Sequence, residues 1–305
     1  MQNKEGDLFD LEAVLNRARA LGTARMVVVR PYDRATLEAV YDAADEGVVE
    51  PILVGRKLVI QELVEKLGIR NDRFRYIDEE DEKILGRAAS LIHDGEADFV
   101  MKGMVRTGDF VHVLLDPGWK IRTEKLLSHV GMHEILQTKR IFLMSDGAIN
   151  IVPNFSRKIH IVRNAVEVAR KLGIRSIRIA MLAAVEKVKL PTMPATLDAF
   201  LMKKFSESGY FGDCEIDGPF ALDNALDPES AAEKGITGNV AGNANILIVP
   251  NIETGNVLWK TLTCLEKKEA AGVVVGGSCP IVVPSRSDTK ATKLLSIKFA
   301  RLLLG

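Results

Sequence analysis

The sequence has little cysteine: three residues in 305, at Cys214, Cys264 and Cys279. An odd number at wide spacing, with no CxxC pair, supports neither a disulfide framework nor a structural zinc site. It has no surplus of either charge, since Lys+Arg and Asp+Glu are 41 each. A general nucleic-acid binder carries a basic excess to neutralise phosphates, so this balance argues against that class. It leaves room for a local cationic pocket, because a total says nothing about distribution. No apolar run approaches the roughly 18 residues that a spanning helix needs. The longest apolar stretches, such as 246–250 and 272–276, have strand length. The opening segment MQNKEGDLFD is polar and lacks the apolar core of a secretory signal. A cytoplasmic protein with no membrane and no nucleic-acid partner is expected.

Several motifs are also missing. There is no GxxxxGK(S/T) phosphate loop and no GxGxxG after an early strand. There is no GxSxG nucleophile elbow. His129 and His133 stand four apart and would share a face if helical, but they lack the HExxH order of a metal pair. A loop or packing role is the expectation there.

What is present is an alternation. Apolar residues make up 47% and charged residues 27%, and a chain this long buries most of its apolar surface without staples. Short Val/Ile/Leu runs at 26–30, 51–55, 98–103, 141–144, 177–183, 246–250 and 273–277 read as strands. Amphipathic stretches between them read as helices, among them 7–20 with Asp7 as cap, 33–46, 157–172, 255–268 and 288–304. Continuous apolar strands separated by crossover helices predict a mostly parallel α/β protein. Ligands of such sheets sit beyond the carboxyl ends of the strands.

Five polar clusters fall at such ends. They are Lys102-Gly103-Met104-Val105-Arg106-Thr107, Ser145 to Asn150, Asp217-Gly218-Pro219, Asn251 to Asn256 with Lys260, and Ser285-Arg286-Ser287-Asp288. In the first, Thr107 is placed to cap the next helix, and a lysine, a glycine and helix-start amides suit an anion. Taken singly, each cluster also reads as a capped turn.

In this order the clusters resemble the phosphate acetyltransferase and phosphate butyryltransferase family. ADFVMKGMVRT, Ser128-His129-Val130, SDGAINIVPN, Asn164-Ala165-Val166, DGPFALDNAL, KGITGNVAGNANILIVPNIETGN and PIVVPSRSD follow one another as they do there. Length and spacing look closer to the butyryltransferase branch. The resemblance implies exchange of an acyl group, butyryl or another short one, between coenzyme A and inorganic phosphate. The thiolate attacks acyl phosphate directly in a ternary complex. Coenzyme A is then a substrate, and neither cofactor nor metal is required.

It implies that Arg286 binds phosphate, that Ser285 donates to the acyl or phosphoryl oxygen, and that Asp288 is the candidate base. In the acetyltransferase branch the base follows the serine by about two helical turns. Here the seventh residue after Ser285 is Thr292, so the base is Asp288 or a carboxylate from another segment. Ser128 and Thr107 fall where relatives contact acyl phosphate, with Lys102, Arg106, Asn256 and Lys260 as further substrate contacts. Bland roles stand beside each: Ser285 as the cap of the last helix, Asp288 as complement to its positive end, Lys102 as cover for apolar surface.

The implied fold has two α/β/α lobes around a cleft, as in isocitrate and isopropylmalate dehydrogenases. One lobe takes 1–135 and 280–305, the other 136–279, in a homodimer or higher homo-oligomer. Two alternatives keep this fold: a metal-dependent decarboxylating dehydrogenase, and a non-catalytic protein that binds acyl-CoA or acyl phosphate.

Overall fold

The computed structural model describes residues 7–135 and 137–305. The first six residues and Leu136, where the sequence reading begins its middle lobe, lie outside that range. The chain divides into two compact units, each an α/β sheet with its own helices.

The first unit holds 15–127 and 269–305. Its strands are β1 (Ala24–Val29), β2 (Val49–Gly55), β3 (Arg75–Asp78), β4 (Phe99–Lys102), β10 (Ala271–Val275) and β11 (Ile281–Val282), in the order β3-β2-β1-β4-β11-β10. All neighbours are parallel except the β10–β11 pair. The ARMVVV and FVMK segments are buried on both faces, as crossover helices on each side require. The helix Lys290–Leu304 packs on helix Arg34–Asp45 and carries three buried cations. Lys293 pairs with Asp33 at 3.0 Å and Lys298 with Glu46 at 2.7 Å. Arg301 donates to the carbonyls of Gly22 and Leu21. Buried cations persist where partners satisfy them, and these three have partners.

The second unit holds 7–14 and 128–268. Its strands are β5 (Ser128–Glu134), β6 (Ile141–Ser145), β7 (Arg178–Leu182), β8 (Glu215–Phe220) and β9 (Ile246–Ile248), ordered β5-β6-β9-β7-β8. β5 runs antiparallel to β6 and the others are parallel. The units divide at 14/15, 127/128 and 268/269, where the sequence reading drew its junctions at 135/136 and 279/280. The residues nearest the N-terminus go with the second unit because Asp7 forms a buried pair with Arg178 at 2.6 Å and Leu11 N–H donates to Glu134. β10 goes with the first unit, where it packs against the helix Lys290–Leu304 and pairs with β11.

Local expectations are corrected at four places. Asp7 caps no helix; the first helix is Leu11–Asn16, continued by a 3₁₀ turn, and Asp7 is held by Arg178 and Asn245. Arg106, not Thr107, is the residue before helix Thr107–Leu114, and no side chain caps that helix. Helix 255–268 is instead Ile252–Lys260 followed by a π turn. The last helix starts at Lys290 with Thr289 as its cap, because Thr289 Oγ1 accepts the Thr292 N–H.

β5 went unseen because SHVGMHE has the polarity of a loop. Its histidines are buried by tertiary packing: His129 and His133 both set their rings edge-on to Trp259, at 5.2 and 4.8 Å. Gly131 lies between them, and a Cβ there would meet the Trp259 ring at 2.5 Å. Gly131→Ala is therefore expected to cost about 1–3 kcal/mol of stability. Urea unfolding checks this, and a variant as stable as the parent would show that Trp259 moves aside freely.

Candidate active site

The order β1-β4-β11 is parallel throughout, so the segments leaving these three strands emerge at one edge of the first unit. They bring Asp33 and Thr36, Lys102 and Gly103, and Ser285 and Arg286 to one recess, joined by Lys293. Gly103 follows the last residue of β4, its N–H donating to Val29 O at 2.8 Å and the Met104 N–H to Arg30 O at 2.9 Å. This bonding anchors Lys102 against the end of β1.

Lys102 is buried, and its Nζ donates to Gly103 O at 3.3 Å and Val105 O at 3.4 Å. Burial, then the cations Lys293 and Arg286, push its ammonium below the usual lysine range. Lys293 is also buried and donates to Asp33 Oδ1 and Thr36 Oγ1, each at 3.0 Å. Burial alone would raise the Asp33 carboxyl, but donation from Thr36 and Lys293 outweighs it and holds the group below its ordinary value.

Residues 285–288 form a tight turn. The Ser285 N–H donates to Asp288 Oδ2 at 2.7 Å, and the Asp288 N–H returns to Ser285 O at 3.2 Å. Ser285 Oγ lies 3.1 Å from Ser287 Oγ. Ser285 therefore caps no helix; its hydroxyl stays with the turn. Arg286 is exposed, and among the described residues no carboxylate pairs with it.

The structure thus gathers Lys102, Ser285, Arg286 and Asp288. Arg106 and Thr107 are exposed at the start of the next helix and do not line the recess. Ser128, Asn256 and Lys260 belong to the second unit. Ser128 is fully buried and accepts from Asn164 Nδ2 at 2.8 Å. Asn256 is exposed and Lys260 half-buried on helix Ile252–Lys260. Thr292 is buried behind the Thr289 cap.

Sequence reasoning missed Lys293, Asp33 and Thr36. A signal existed for Lys293. It shares the spacing of Ile297 and Ala300, both fully buried, so it interrupts an apolar stripe.

Other clusters are consumed locally. Ser145 Oγ donates to His129 O, and Asp146 accepts from the N–H groups of Ala148, Ile149 and Asn150. Asp217 pairs with Lys203 at 2.7 Å, and Asn251 caps its helix through Thr254 N–H. The strand-end segments of the second unit line an open cavity of about 880 Å³. It is walled by apolar side chains such as Leu182, Met193 and Val257, with the pair Lys158–Asp198 at 2.7 Å.

The profile of the phosphate acetyl/butaryl transferase family matches residues 82–300. The chain belongs to this family. It is 40% identical over 293 residues to a phosphate butyryltransferase of Clostridium acetobutylicum, covering 96% of this chain and 97% of that one. It is 37% identical over 287 residues to a phosphate acetyltransferase of Thermotoga maritima, covering 94% and 97%. A solved branched-chain phosphotransacylase from Enterococcus faecalis superposes with a TM-score of 0.80 at 30% identity, covering 92% of this chain and 99% of that one. The chain is thus an enzyme of the phosphate acyltransferase family with that family's α/β fold.

In this phosphate acyltransferase, among the described residues no group of His, Cys, Asp and Glu is arranged to hold a metal ion. The aspartate cluster that a decarboxylating dehydrogenase requires is therefore not found among them. Burial pulls His133 down to about 3, so its ring is neutral at ordinary pH. Among the described residues no helix is long and apolar enough to cross a membrane. Burial also raises the Cys214 thiol to about 11 and the Cys279 thiol to about 12. The thiolate is the reactive form, so neither thiol is an acyl acceptor at neutral pH. Iodoacetamide at pH 7.5 is expected to label the exposed Cys264 and spare the other two. Peptide mapping that finds Cys279 labelled first would contradict this.

Proposed function

We propose that this transferase exchanges a short acyl group, butyryl or a close relative, between coenzyme A and inorganic phosphate. In the acyl-phosphate direction the thiolate of coenzyme A attacks the carbonyl carbon and phosphate leaves, both substrates being bound together. The observation that carries this reading is the exposed guanidinium of Arg286 beside Ser285, with Lys293 and the Lys102 amine lining the same recess at the ends of three parallel strands. A phosphoryl group needs hydrogen-bond donors and a cation of this kind. The exposed guanidinium of Arg286 offers the planar fork that matches a phosphoryl group. Lys293 stands behind it, held in place by Asp33.

Ser285 supplies a hydroxyl donor for the carbonyl or phosphoryl oxygen as charge develops. Asp288, accepting the Ser285 N–H, sets the turn that presents Ser285 and Arg286 together. The step uses coenzyme A as substrate and calls on no metal or redox cofactor. We place the enzyme in the cytoplasm, and we propose a homodimer or higher homo-oligomer, a state that light scattering of the purified chain tests.

The function is tested by supplying acetyl-, propionyl-, butyryl- and isobutyryl-CoA with phosphate and measuring thiol release. Phosphate-dependent release is expected, with a preference among the C4 compounds. Absence of phosphate-dependent release with every one of them would sink the acyl-transfer reading.

A further inference from the structure

A thiol with a pKa of about 8.5 is mostly protonated at neutral pH, so acyl transfer to it needs a base at the reacting centre. The two acids nearest the recess each hold a structural hydrogen bond, and the buried amine of Lys102 lines the recess beside them. Asp33 accepts from Lys293 and from the hydroxyl and amide of Thr36. Asp288 accepts from the Ser285 N–H. Thr292 carries no carboxylate, and its backbone N–H is bound in the helix cap.

Resting on the acyl-transfer reading, we propose that Lys102, as a neutral amine, is the general base that takes the proton of the coenzyme A thiol. Its geometry suits that form. Two backbone carbonyls, of Gly103 and Val105, accept its two N–H bonds. A neutral amine so held keeps its lone pair for the recess it lines with Ser285 and Arg286. An ammonium would carry a third N–H that has no acceptor among the described residues. The charged groups facing it are the cations Lys293 and Arg286 and the engaged acids Asp288 and Asp33. The cations and the burial favour the neutral form, which agrees with the lowered pKa.

The step balances. The amine takes the thiol proton, and the sulfur electron pair forms the C–S bond to the acyl carbon. The C–O bond to phosphate breaks, and its electron pair leaves with the phosphate. The departing phosphate then takes the proton from the Lys102 ammonium and leaves as hydrogen phosphate. In reverse, Lys102 deprotonates the attacking phosphate and the ammonium protonates the leaving thiolate.

The test separates a base from a fixed cation. Lys102→Arg keeps the charge and cannot give up its proton at any working pH. It is expected to lower kcat by about 10²–10⁴-fold with KM for acyl phosphate nearly unchanged, the usual contribution of a general base. Retention of kcat within tenfold would overturn the proposal. A second variant, Lys102→Cys aminoethylated to a less basic lysine analogue, is expected to regain activity with the acidic limb of its kcat/KM–pH profile moved to lower pH. The wild-type chain given the same reagent is the control for Cys264. Recovery with an unmoved limb, or no recovery, would also overturn it. A wild-type chain that releases no thiol sinks the acyl-transfer reading itself, whereas an active wild type with an active Lys102→Arg variant sinks only the role of Lys102.

Discussion

Arg286→Ala is expected to lower kcat/KM for phosphate by about 10²–10³-fold, the scale set by removing one preorganised donor from a developing oxyanion. Arg286 is exposed at the mouth of the recess, and among the described residues it has no carboxylate to satisfy, so its removal orphans no partner. The fold should therefore be unaffected, and the loss should appear in the phosphate dependence. Arg286→Lys should fall between, because an ammonium keeps the charge and loses the fork. Initial rates of thiol release at varied phosphate, with thermal melts alongside, check this. Unchanged phosphate dependence in the alanine variant would remove Arg286 from the site.

Gly103→Ala is expected to be the most damaging single methyl in the first unit. A Cβ at this position would fall well inside van der Waals distance of the carbonyl oxygens of Val29 and Arg30. Neither can retreat, since Val29 O accepts the Gly103 N–H and Arg30 O the Met104 N–H. Relief of the overlap requires β1 and β4 to part at their carboxyl ends, where Lys102 is anchored. Overpacking of this kind costs about 1–3 kcal/mol and occasionally more. We expect about 3 kcal/mol, roughly 6–12 °C in melting temperature on the scale of a unit this size. Activity should fall further than stability explains, because the shift displaces Lys102 itself. A fully active, unshifted variant would show that these strand ends are softer than their hydrogen bonds imply.

Much of the first unit was legible. MVVVR and DFVMKG read as strands because runs buried on both faces have no alternation, and β1 and β4 occupy those places. β3 and β11 were not legible, the one being RYID with half-exposed positions and the other only two residues long. In the recess, the turn Ser285–Asp288 and the lysine at 102 were found by their place after strands. A carboxylate three residues after a serine reads as a base or a helix-end charge, and the structure adds that Asp288 accepts the Ser285 N–H at 2.7 Å and so holds the turn.

From its residues alone, the chain settled its α/β class, its place in a transferase family and its poverty in cysteine. These follow from local periodicity, from motif order and from counting. The tertiary structure decided which cations share a site. Asp33 and Lys293 are 260 positions apart and meet because the helix Lys290–Leu304 lies on Arg34–Asp45. Lys102 and Arg286 meet because β4 stands between β1 and β11. Strand order is a long-range property of packing, and no local pattern encodes it. For the same reason the neutral total of 41 against 41 concealed a recess in which Arg286 and Lys293 stand with the Lys102 amine beside Asp33 and Asp288.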